Sequence, residues 1–152
     1  MTDQKLKSFD TLISLTQNQV DEAGGRLGKL MSERTNAQQQ LDMLRQYRED
    51  YANRLNQAGQ TGITATNYHN FTRFLATLDE AILQQTRVMT HMDHNISVSK
   101  EHWRNEQRRL HSYETLKTRR VQQHIAAENR REQLHTDEMS AAIHRRNSMD
   151  RG

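Results

Sequence analysis

From Leu6 to Leu55, apolar residues recur in alternating steps of three and four, the spacing that keeps one narrow stripe of a helix turned toward a partner. The steps fall on Leu6, Phe9, Ile13, Thr16, Val20, Ala23, Leu27, Leu30, Arg34, Ala37, Leu41, Leu44, Arg48, Tyr51 and Leu55. Only Thr16, Arg34 and Arg48 interrupt the series, which predicts a coiled-coil helix over about 5–57. A stripe of two positions in seven cannot bury itself on a lone helix, so the pattern demands a second helix of the same period.

That second series reads Phe71, Leu75, Leu78, Ile82, Gln85, Met89, Met92, Ile96, Ser99, Trp103, Glu106, Leu110 and Tyr113. Between the two, Asn56 to Asn70 has no period, and Gly59 and Gly62 punctuate it, which predicts a loop over about 58–64. Either glycine can end the first helix, and Thr64 or Thr66 can accept the free N–H groups that open the second. A short loop between long periodic helices makes them antiparallel neighbours. The predicted fold is therefore all-α, a long antiparallel two-helix coiled coil, or αα-hairpin, forming a single domain over 1–152. If the helices meet near 61–63, facing residues have numbers adding to about 126. Ala23 then lies opposite Trp103 and Ala37 opposite Met89, small against large, and Leu44 lies near Ile82.

The second pattern runs without a breaker from about 65 to about 146, longer than the first, so it should overhang and be unpaired beyond about 121. Val121, Ile125, Leu134, Met139 and Ile143 would then lack a partner from their own chain. A lone helix of that kind stabilises itself poorly in water and calls for a foreign surface.

Composition agrees with a thin seam and no broad core. Only 33% of the 152 residues are hydrophobic, and mean hydropathy is −1.06. Proline is absent, so nothing forces a break in a long helix. The 22 basic and 19 acidic residues leave a net charge of +3 and do not gather into long runs of one sign, which argues against nucleic-acid binding. Without cysteine, disulfides, thiolate metal sites and cysteine nucleophiles are excluded together. The N-terminus has no apolar signal region and no stretch is apolar enough for a transmembrane segment, so the chain reads as cytoplasmic.

Candidate chemistry is sparse. Gly24, Gly25, Arg26, Leu27, Gly28 and Lys29 suggest a phosphate loop, but no glycine stands five residues before Gly28, Leu30 replaces the required hydroxyl, and the segment lies inside the heptads. His91, Asp93 and His94 lack a third firm metal ligand. No nucleophile–base pair is legible, so neither catalysis nor a cofactor is expected. Arg34 and Arg48 are expected to pack their stems in the seam and send their heads to carboxylates such as Glu33, Asp42 or Asp50; alternatively they set register by penalising mispairing. Near the loop, apolar residues overflow the seam. Leu44, Tyr47, Tyr51, Phe74, Leu78 and Ala81 should form a partly exposed aromatic patch of the kind that marks protein interfaces.

The run QLDMLRQYREDYANRLNQAGQTGIT, Gln40 to Thr64, with NYHNFTRFLATLDEAILQQ, Asn67 to Gln85, and the later Trp103-Arg104, resembles the FliJ family of flagellar protein-export components. The resemblance implies a non-enzymatic, cytoplasmic part of the flagellar type III export apparatus, peripheral at the membrane, folded as a coiled coil similar to the γ stalk of rotary ATPases. It implies as partners the export ATPase hexamer and its regulator, the cytoplasmic domain of the export gate, and export chaperones, with a monomer when free. Carried over by position, the gate-docking surface falls on Gln40, Leu44, Tyr47, Tyr51, Phe74, Leu78, Ala81 and Gln85, the last departing from the family's histidine. The ATPase ring would meet Val121, Ile125, Leu134 and Met139. The seams alone leave a second reading open, a generic coiled-coil tether or chaperone that dimerises through them.

Overall fold

A computed structural model describes residues 2–151. They form two helices, α1 (Thr2–Thr61) and α2 (Ala65–Asp150), with no strand among the described residues. The helices pack as an antiparallel hairpin.

The turn between them is only three residues. α1 does not stop at Gly59 but continues to Thr61, whose hydroxyl donates back to the carbonyls of Gln57 and Ala58. A helical glycine costs roughly 1 kcal/mol relative to alanine, too little to end a helix whose seam is still engaged. The stop is Gly62, whose φ of 97° lies in the left-handed region that a side chain disfavours. Thr64 opens α2 as its cap: its hydroxyl accepts from the Asn67 N–H at 3.2 Å, and its carbonyl accepts from the Tyr68 N–H at 2.9 Å.

The chain divides into two units, Asp21–Asn105 and a second that joins α1 up to Val20 with α2 from Glu106 onward. In the first, Ala37, Leu41 and Met89 form a buried cluster with Ile82 and Met92 packed on it, a small residue of α1 seating a large one of α2. Ala23 is buried, and beside it Gly24 lies so close under Trp103 that a Cβ there would come within 3.2 Å of the indole nitrogen. Arg34 donates to Asp93 and Arg48 to Asp79, both on α2. This corrects the expectation of own-helix partners at Glu33, Asp42 or Asp50: a seam position points across the pair, so the nearest carboxylate belongs to the facing helix. The hydrogen bond first, and then the charge of each aspartate, raise the two guanidinium pKa values above the ordinary arginine value. Numbers in the pairs Arg34–Asp93, Arg48–Asp79 and Gly24–Trp103 each add to 127, within one of the register expected from spacing.

In the second unit Thr16, Val20 and Glu106 are buried, and Lys117 pairs with Asp10. Glu106 is a polar intruder in the seam. One carboxylate oxygen lies 3.6 Å from Arg109 of the next turn, and the other has no hydrogen-bond partner. Such a group is costly in an apolar layer. Beyond His124 every described residue of α2 is exposed, including Ile125, Leu134, Met139 and Ile143.

Candidate partner-docking surface

The aromatic patch belongs to the unit Asp21–Asn105 and is built where the seam meets the turn. Tyr51 is placed by α1, and Phe71 and Phe74 by the second and third turns of α2. The Tyr51 ring lies 4.3 Å from Phe74 and 5.9 Å from Phe71, both tilted, the second within the usual spacing of aromatic pairs and the first slightly closer. On its other side the Arg54 guanidinium sits 5.5 Å from the ring centre, a cation–π contact. The three rings, with Asn67 and Asn70, line an open cleft of about 280 Å³. Its floor is apolar and its rim carries two amides, a combination that receives an apolar side chain while hydrogen-bonding the backbone beside it.

Exposure sorts the expected residues. Tyr47 remains 52% exposed and Phe74 41%, large values for aromatic side chains with no functional demand on them. Leu44, Tyr51 and Ala81 are half-buried. Leu78 is buried at 7%, so it supports the patch from beneath and does not face outward. Gln40 and Gln85 are brought together: the Gln85 amide donates to the Ala37 carbonyl at 3.0 Å and to the Gln40 side-chain oxygen at 3.4 Å. Gln85 is thus engaged in holding the helices to each other. Asn67, Asn70 and Phe71 join the site although periodicity assigned Phe71 to the seam and left the asparagines in the loop. The signal for them was the Phe71–Phe74 spacing, which stacks two rings on one face of a helix.

The expected ATPase-facing residues behave differently. Val121 is half-buried and lines a shallow cleft with Ile13, Lys117 and Thr118, whereas Ile125, Leu134 and Met139 stand exposed. By helical periodicity Val121, Ile125 and Met139 share one side of α2, and Leu134 lies roughly opposite. They do not converge on one pocket.

Nothing in this surface offers acid–base chemistry. Asp93, the carboxylate between His91 and His94, is held by Arg34, and the described residues contain no group of three potential ligands for a metal. Among the described residues no helix is long and apolar enough to cross a membrane.

Comparison with known proteins places these features. Over 130 residues the chain is 32% identical to the flagellar FliJ protein of Escherichia coli K12, covering 86% of this chain and 88% of that protein. It is 31% identical over 133 residues to the flagellar FliJ protein of Salmonella typhi, covering 88% and 90%. The family model of the flagellar FliJ protein matches residues 4–149, and the chain therefore belongs to the FliJ family.

Proposed function

We propose that this chain, a FliJ-family component of the flagellar export apparatus, acts as a non-enzymatic coiled-coil stalk. Its turn-end patch docks to the cytoplasmic domain of the export gate, and the exposed length of α2 engages the export ATPase ring and its regulator. In the same role it assists the handling of export chaperones, at the cytoplasmic face of the membrane. The observation that carries this reading is the exposed Tyr47 and Phe74 beside the cleft of Tyr51, Phe71 and two asparagines. Aromatic residues left in water beside an apolar cleft are the anchors that protein interfaces use.

The test is a pull-down of the purified chain with gate domain and export ATPase from the same source. Tyr47→Ala should lower gate affinity about tenfold or more, the loss of one aromatic anchor, with helicity unchanged because Tyr47 lies off the seam. Phe74→Ala is a less clean probe, since its ring also supports Tyr51 at 4.3 Å. Undiminished gate capture by Tyr47→Ala would sink the docking assignment. Amide exchange beyond residue 125 should be fast in the free protein and slow with the ATPase present; unchanged exchange would remove the ring from the reading.

A further inference from the structure

Between residues 108 and 131, seven basic residues stand against two acidic ones, an excess of five, although the whole chain carries only +3. The net positive charge of the protein is therefore concentrated in 24 residues of α2, and the remainder of the chain is slightly acidic. All but Lys117 fall as arginine doublets, 108/109, 119/120 and 130/131, at intervals of eleven. Eleven residues make just over three whole turns, so each doublet returns to the same side of a continuous helix with a drift of only about 20°. α2 is unbroken here, and Arg119, Arg120, Arg130 and Arg131 are all exposed. The same side carries Leu116, 45% exposed, and Ala127, between the doublets. Val121, Ile125 and Met139 lie on the other side of the helix by the same periodicity, whereas Leu134 falls on the side of the band, so the band meets the surface assigned to the ATPase only at Leu134.

We infer that the arginine band is a docking surface for an anionic phospholipid membrane. Adjacent arginines spread their charge over about 100° of the helix circumference, making a broad, shallow strip and not a ridge, which suits a planar array of phosphates. Arginine forks bind phosphate bidentately and can lay their stems along an apolar strip such as Leu116 and Ala127. A protein partner would have to repeat its acids every ~16 Å to match the doublets, whereas a membrane presents phosphate at every position. Nucleic acid is disfavoured because Tyr113, the aromatic residue between the first two doublets, is half-buried as part of the seam, and no Phe, Tyr or Trp stands between the later two to stack on bases.

The test uses the full-length chain and sedimentation with vesicles, either phosphatidylcholine alone or phosphatidylcholine with one part in four phosphatidylglycerol. The chain should bind the anionic vesicles, leave the neutral ones, and release as salt is raised from 0.1 M to 0.5 M. Replacing Arg119, Arg120, Arg130 and Arg131 by Gln should weaken binding about 100-fold. The four corresponding Lys replacements should retain most of it, and Gln at the exposed Arg26, Arg73, Arg87 and Arg104, outside the band, should leave it unchanged. Equal binding to neutral vesicles, or a quadruple Gln variant that binds like the parent, overturns the inference. So does tighter binding to poly-glutamate, which would make the partner a protein, or to a duplex DNA of about 30 base pairs, which would make the band a general phosphate binder.

Discussion

At the scale of single residues, the glycines of α1 show how position decides the sign of one substitution. Gly25 and Gly28 face open space, with nothing within 4 Å of where a Cβ would be, whereas the same atom on Gly24 would press on Trp103. Gly25→Ala and Gly28→Ala should each stabilise the hairpin by about 0.5–1 kcal/mol, read as a higher midpoint in urea, because alanine is the better helix former and has fewer unfolded conformations to lose. Gly24→Ala should give less, since the indole must shift to admit it. No change at Gly25 and Gly28 would mean that the surrounding helix is not intact in solution. In the sequence these glycines are legible only as a segment inside the heptads; which of them is packed was not legible, because it depends on Trp103 arriving from the other helix.

At the scale of the two helices, Arg34–Asp93 and Arg48–Asp79 act as register pins that span the seam. Because each guanidinium pKa is raised, the stabilisation is complete below the ordinary arginine value and is lost only as pH climbs through the still higher folded value. On the arginine side these pairs therefore hold across the physiological range. Arg48→Asp should lower Tm, as should Asp79→Arg, and the two together should recover most of the loss, a cycle that isolates the pairwise contact. Failure of the double variant to recover would show that the pins contribute packing and not pairing. Antiparallel pairing, register within one residue and the matching of Ala37 to Met89 were all legible in the spacing of apolar residues. The arginine partners differ from the carboxylates expected along the same helix, because the register sets Asp93 and Asp79 directly across the seam from them. Patch membership was legible from aromatics in excess of the seam, but the burial of Leu78 and the Gln85–Ala37 hydrogen bond depend on rotamers that spacing does not encode.

At the scale of the whole molecule, the buried residues lie at or before Glu106, and everything described after His124 is exposed. Truncation after Ala127 should thus lower total helicity roughly in proportion to the residues removed while leaving the cooperative midpoint within a few degrees of the parent. Circular dichroism checks both at once, and a collapse of the midpoint would show that the terminal stretch is part of the folding unit. The thin seam has a further consequence for the thermal behaviour of the protein. Among the described residues its buried apolar side chains are Val20, Ala23, Leu27, Ala37, Leu41, Leu78 and Met89, and no large side chain is completely enclosed. Melting therefore wets little new hydrocarbon. The heat-capacity increment per residue should fall below the ~12–15 cal/mol/K of globular domains, which flattens the stability curve and lets the hairpin keep nearly constant strength over a broad span of growth temperatures.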